Sequence, residues 1–125
     1  MGEHLWGGVD PEIVRLATAF GGGMGGTHEE ACGALSGGVM VIGIHLAPQH
    51  PTGNEEPMRQ AVARYRTRFL NEIGPTQCAA LRDGLYGSEG QEPCSVLVQR
   101  AVRLLLQVLN EMDEAKGTAL PGDQG

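Results

Sequence analysis

Residues 31–47 carry no formal charge, and this stretch limits the possible folds more than any other part of the sequence. It follows the glycine-rich loop 21–26 and must end before Pro48, because a proline ring clashes with a helix that continues through it. Its apolar side chains favour no single face, a pattern typical of a helix buried on all sides. The sequence therefore predicts an all-α fold, a compact bundle of about five helices around an apolar, Gly/Ala-rich central helix.

A membrane span is the alternative for such a stretch, since Gly33 and Gly37 have the G-x-x-x-G spacing by which helices associate in lipid. A span needs about 20 apolar residues with suitable flanks. This stretch is shorter, contains Ser36 and His45, and is preceded by Glu29-Glu30 without a basic anchor. We therefore expect a soluble protein without membrane insertion, made of one helical domain over residues 1–125 with a loose tail at 117–125.

Helix caps and apolar periodicity predict where the helices begin and end. Asp10 suits an N-cap and Pro11 a first helical position, so a first helix runs up to Gly21. Thr27 and Glu30 match the T-x-x-E capping box, which predicts that the central helix opens at Thr27. Three further helices are delimited by Pro57, Gly74-Pro75, Thr76 and Pro93.

The last predicted helix has more apolar side chains than one buried face requires. Its inner stripe at helical spacing consists of Val98, Ala101, Val102, Leu105, Val108, Leu109 and Met112. Outside that stripe lie Leu97, Leu104 and Leu106. An apolar surplus of this kind indicates a partner, either the rest of this fold or a second subunit. With a second subunit, the protein would be a homodimer that forms through this helix, and we predict a homodimer.

The charge balance excludes some classes of partner. The chain has 9 Lys and Arg against 15 Asp and Glu, a formal net charge of −6, and its single lysine is Lys116. Nucleic-acid binding needs clustered basic residues, so we expect neither nucleic acid nor an anionic membrane surface as a partner. The N-terminal residues lack the basic and apolar regions of a signal peptide, which predicts a cytoplasmic protein with reduced cysteines.

The three cysteines follow predicted helix starts, and this position is the main functional signal. Unsatisfied amides and a partial positive charge at a helix N-terminus favour a thiolate, the form that attacks disulfides and binds metals. We therefore predict Cys32, Cys78 and Cys94 as catalytic thiols or as metal ligands. The alternative is that each is a small buried apolar residue. Neither C-x-x-C nor H-E-x-x-H occurs, so a metal site would join residues far apart in sequence.

The loop over residues 21–26 matches G-x-G-x-x-G, but no predicted strand precedes it, so the dinucleotide fingerprint does not apply. Two interpretations remain for Gly22, Gly23, Gly25 and Gly26. Their amides could bind an anion or a small acidic ligand as a cofactor site. Alternatively, the glycines make a tight turn between two helices, which is the interpretation we favour.

The residues around Cys32 resemble a known signature. The run FGGGMGG over 20–26, followed by EACGALSGGVM over 30–40, resembles the redox-active proteins named for a C-GCAxxG-C-C pattern. Cys32, Gly33, Ala34 and Gly37 match the central motif. Cys78 and Cys94 resemble the later cysteines, and the resemblance covers about Asp10 to Leu109. The family pattern starts with a further cysteine upstream of the loop, and no cysteine precedes Cys32 in this sequence.

The resemblance implies cysteine-based redox chemistry or an iron–sulfur or other metal centre. A four-thiolate site would need a histidine, a water or a second subunit to replace the missing cysteine. The family is similar to part of the split-Soret cytochromes, but haem is not expected here because C-x-x-C-H is absent.

The leading prediction is a cytoplasmic helical protein that uses its three cysteines for thiol redox or for an iron–sulfur or other metal centre. As an enzyme it would be at most a thiol-dependent oxidoreductase or electron carrier, with a redox partner protein. Cys32 would be the nucleophile, and Cys78 or Cys94 the resolving thiol. As metal ligands, all three cysteines would bind one ion. The alternative is a non-catalytic interaction or ligand-binding protein, homodimeric, with dispersed cysteines. An enzyme with an acidic ligand on the glycine-rich loop ranks last.

Overall fold

The computed structural model describes residues 10–83, 85–87 and 92–119, with side chains up to residue 114. This part of the chain forms five helices: α1 (Pro11–Thr18), α2 (Gly33–Leu46), α3 (Glu56–Glu72), α4 (Cys78–Arg82) and α5 (Cys94–Ala119). It contains two isolated β-bridges but no strand, which confirms the predicted all-α class. Because α5 continues to Ala119, residues 117–119 of the predicted loose tail are helical, and residues 120–125 lie outside the described residues.

The first helix begins as its cap residues predict. The Asp10 carboxylate accepts a hydrogen bond from the Glu12 amide at 2.9 Å, and Pro11 is the first helical residue. The helix has no buried side chain, and Leu16 is 66% exposed. Helix α1 therefore presents its apolar side to its surroundings rather than to the core.

The second helix begins at Gly33, later than the predicted start at Thr27, and Cys32 is its N-cap. The Thr27 hydroxyl donates to the Gly23 carbonyl at 2.7 Å instead of capping a helix. The reason is long-range pairing: Ala31 and Gln77 form an antiparallel bridge, and the segment before it bends, with a left-handed φ of 61° at His28. This pairing outweighs the local preference of the T-x-x-E sequence.

Helices α2, α3 and α5 pack against one another and enclose the core. The expectation that α2 is buried on all sides is wrong, because only Leu35, Gly38 and Ile42 are buried and Ile44 is half exposed. Two helices cover one side of α2 and leave the rest open. The largest fully buried side chains are Tyr65, Phe69, Ile42, Leu81, Leu109 and Val108.

The third and fifth helices are joined by apolar packing and an ion pair. Arg64 and Arg68 on α3 both donate to the Glu111 carboxylate on α5, at 3.1 and 2.7 Å. Leu97 and Leu104, two of the three leucines predicted as a surplus, are buried in the core of the single chain. For these two residues the partner is the rest of the fold, one of the two alternatives that the sequence left open, and the homodimer stays a prediction.

Among the described residues, no helix combines the length and the apolar character that a membrane crossing requires.

Candidate thiol site

Two of the three cysteines are placed by the bridge between Ala31 and Gln77. The Cys32 amide donates to the Thr76 carbonyl at 2.6 Å, and the Cys78 amide donates to the Glu30 carbonyl at 2.8 Å. Each cysteine directly follows a bridge residue. Because successive side chains of an extended chain alternate, both cysteines lie on the same side of the bridge. The start of α2 and the start of α4 are thus held side by side, with one thiol on each.

The glycine-rich loop covers Cys78. Residues 22–26 all have left-handed backbone conformations, with φ between 61° and 75° and with Met24 included. A Cβ on Gly23 would lie 2.7 Å from the Cys78 Cβ and 2.7 Å from the His28 Cα. The loop therefore needs glycine here both for its backbone conformation and for its close approach to the thiol site.

The amides of this loop are partly used within the chain. The Gly25 amide donates to the Ala19 carbonyl at 2.7 Å, and the Gly26 amide to the Gly21 carbonyl at 3.1 Å. Such bonds are those of a tight turn between helices, the interpretation that the sequence favoured. The cofactor role predicted for Gly22, Gly23, Gly25 and Gly26 stays a prediction.

Cys32 and Cys78 are both buried, each with 9% of its surface exposed, whereas Cys94 is exposed. Cys94 is the first residue of α5, and none of the three cysteines forms a disulfide in the structure. The site therefore has one thiol that meets solvent and two that are covered by the chain.

Burial raises the pKa of the Cys32 thiol above its ordinary value of 9.0. The amides of Ala34 and Leu35 at the helix start act in the opposite direction, and negative charge on Cys78 or Cys94 raises the pKa further. Cys32 is the N-cap residue of α2, but its side chain makes no capping hydrogen bond. For Cys32, loss of solvation therefore acts against the predicted preference for thiolate and outweighs the helix N-terminus.

Tyr65 of α3 is a neighbour of the site for which the sequence analysis proposed no functional role. Its hydroxyl donates to the Ala34 carbonyl in the first turn of α2 at 3.1 Å. Burial and the charge of a Cys32 thiolate raise the pKa of this phenol. The ring fits because residue 38 is glycine, where a Cβ would lie 2.5 Å from two Tyr65 atoms.

An apolar groove of about 370 Å³ runs between α2 and α5. Its walls are formed by Gly33, Ala34, Gly37, Gly38, Val41, Tyr65, Val98, Ala101, Val102 and Leu105. The sequence contained one signal for this groove: Gly33 and Gly37, which form the G-x-x-x-G spacing, both lie in the wall of the groove.

Cys32, Cys78 and Cys94 are the predicted metal ligands. Nowhere in the described ranges do three or more His, Cys, Asp or Glu side chains come together as a group that could hold a metal ion. The metal role of the three thiols stays a prediction.

Comparison with known proteins identifies one family. The sequence pattern of the family described as "Putative redox-active protein (C_GCAxxG_C_C)" matches residues 1–108. No curated protein and no solved structure matches the chain. Because the family match spans most of the sequence, the chain belongs to the C_GCAxxG_C_C family of redox-active proteins.

Proposed function

We propose that this protein is a thiol–disulfide oxidoreductase in which Cys94 attacks the substrate and Cys32 resolves the intermediate. One observation supports this division of roles: Cys94 is exposed and Cys32 buried, at the starts of two helices that pack together and line one groove. The attacking thiol must reach a disulfide in solution, which Cys94 can do. The proposal reverses the roles predicted from sequence, where Cys32 was the nucleophile.

The exchange proceeds in two balanced steps. The Cys94 thiolate attacks one sulfur of a substrate disulfide, forming a mixed disulfide and releasing one substrate thiolate. Cys32, after losing its proton, attacks the Cys94 sulfur and releases the second substrate thiolate. The protons of the two cysteines end on the released thiols, so the substrate gains two electrons and the protein holds one disulfide.

Cys78 supports the pair in this proposal rather than taking part in the exchange. It lies on the same side of the bridge as Cys32 and beneath Gly23. Burial raises the pKa of Cys32, which keeps the resolving thiol protonated at rest. Early oxidation of the resolving thiol is disfavoured in this state, because the thiol is a weaker nucleophile than the thiolate.

Trapping of the mixed disulfide tests the assignment of Cys94 and Cys32. Oxidised glutathione is mixed with reduced protein, and the adducts are mapped by mass spectrometry. The variant Cys32→Ser accumulates a glutathione adduct on Cys94, whereas the wild type and the control Cys78→Ser pass on to an internal disulfide. Accumulation in Cys78→Ser instead, or an undiminished reaction of Cys94→Ser, contradicts the assignment.

A metal or iron–sulfur centre on Cys32, Cys78 and Cys94 stays a prediction. The iron, zinc and sulfide content of anaerobically purified protein tests this prediction.

The proposal also includes a reducing cytoplasm, a redox partner protein and the association of two copies of the chain. Exposed apolar residues that fit such an association lie on α1, including Val14 and Leu16.

A further inference from the structure

The groove between α2 and α5 has the size and composition of a small-molecule site. Its volume of about 370 Å³ falls in the range of ligand pockets in proteins. Among the described residues, its wall contains no charged side chain, and the only polar one, that of Tyr65, already donates its hydroxyl proton to the Ala34 carbonyl. A ligand with a formal charge would lose its hydration in this groove without gaining a counter-ion.

One end of the groove lies near the helix starts that carry Cys32 and Cys94. Gly33 and Ala34 in the wall directly follow Cys32, and Val98, which is 47% exposed, lies one helical turn beyond Cys94. Farther along the same two helices, His45 and Asp113 approach to 3.5 Å. The two helices therefore run in the same direction, and the starts of both lie toward the same end of the groove.

From this arrangement we propose that the groove binds the aliphatic chain of an uncharged small disulfide and presents its sulfurs to Cys94. This inference rests on the thiol–disulfide exchange proposed above and adds the substrate class to it. The exchange is balanced as before: the bound disulfide takes two electrons and two protons, and the protein takes one internal disulfide. Prior reduction of the protein supplies the electrons, so one turnover needs no further reductant.

The glycines of α2 provide a blocking variant and a matched control. Gly37 lines the groove, and Gly43 lies on the same helix outside the groove wall. A Cβ added at either position meets no atom within 4 Å. Replacing either glycine by leucine improves helix propensity by up to about 1 kcal/mol. Only Gly37→Leu places a side chain in the groove, so the two variants separate groove blocking from changes in helix stability.

The test compares two disulfides in single-turnover oxidation of reduced protein. Lipoamide carries a disulfide on an uncharged aliphatic chain, and oxidised glutathione is a charged disulfide. In the wild type, we expect lipoamide to react faster. Gly37→Leu should slow lipoamide by about tenfold or more while glutathione changes by less than about twofold, and Gly43→Leu should leave both rates near wild type. Thermal melting of both variants checks that they are folded.

The outcomes distinguish the inference from the proposed function. If neither disulfide oxidises Cys94, the exchange function itself is wrong. If both react but Gly37→Leu slows neither, or slows both equally, the groove is not the binding site. Light scattering of the same samples adds a third outcome: a dimer that Gly37→Leu dissociates shows that a second copy occupies the groove, which overturns the inference.

Discussion

At the scale of single residues, close packing has one consequence at Gly23 of the glycine-rich loop and another at Cys32. Gly23 allows the backbone to pass directly over Cys78, where a methyl group would not fit. Cys32 is itself covered, and the loss of solvent outweighs the nearby helix amides that would stabilise its thiolate. Gly23 is therefore needed for packing over Cys78, and the raised pKa of Cys32 follows from its own burial.

Two alanine substitutions separate backbone strain from overlap in this loop. Gly23 and Gly25 have φ of 69° and 66°, but only Gly23 has neighbours where a Cβ would be. Gly25→Ala should lower the free energy of unfolding by about 1 kcal/mol, the cost of a left-handed residue with a Cβ. Gly23→Ala should cost a further 1–3 kcal/mol or so from overlap, and should expose Cys78 to maleimide. Equal losses in urea unfolding would contradict the close contact.

The raised pKa of Cys32 predicts a pH dependence with a definite sign. The folded chain binds this proton more tightly than the unfolded chain does. The protonated Cys32 thiol therefore stabilises the folded state below pH 9.0. This contribution to the free energy of unfolding is lost as the pH rises through the pKa of Cys32 in the folded chain. In a Cys78→Ser, Cys94→Ser variant, the alkylation rate of Cys32 by iodoacetamide should reach half its maximum above pH 9.0. The same chain in urea is the control, and a lower midpoint in the folded chain would contradict the effect of burial.

At the scale of helices, α2 has a glycine face that serves two purposes. Gly38 admits the Tyr65 ring from α3, whereas Gly37 faces the groove. A larger side chain therefore fits at Gly37 but not at its neighbour Gly38. The sequence shows both as small residues, but only the positions of α3 and α5 distinguish a packed glycine from an open one.

This difference predicts opposite effects of the same substitution. Gly37→Ala should raise the free energy of unfolding by about 0.5–1 kcal/mol, because alanine is the better helix former. Gly38→Ala should lower it by about 1–2 kcal/mol, because the methyl group overlaps the Tyr65 ring by more than helix propensity can offset. Urea unfolding measures both, and stabilisation by both substitutions would show that the Tyr65 contact is not as close as described.

The success of sequence reasoning depended on whether the deciding interaction was local. The cap of α1 at Asp10 and the start of α3 near Pro57 depend on neighbouring residues, and both were predicted. The start of α2 was not, because the pairing of Ala31 with Gln77 joins residues far apart in sequence. Leu97 and Leu104 were misplaced for a related reason: α5 is covered by two helices, so its buried face is wider than one stripe.

At the scale of the whole molecule, a three-helix core brings distant thiols to one end of the protein. The sequence identified the three cysteines and their helix starts but not which of them meets solvent. That distinction depends on how α4 and the glycine-rich loop cover Cys78, and on how α2 packs against α5. It changes the expected order of attack from Cys32 first to Cys94 first.

The most direct test of the account is a redox titration of the three thiols. The protein is equilibrated anaerobically in glutathione buffers of increasing oxidation, and its disulfides are mapped by mass spectrometry after acid quenching. The account predicts one internal disulfide between Cys32 and Cys94 that forms and disappears reversibly while Cys78 stays reduced. Three thiols that remain reduced under every buffer in which the protein is folded would contradict it.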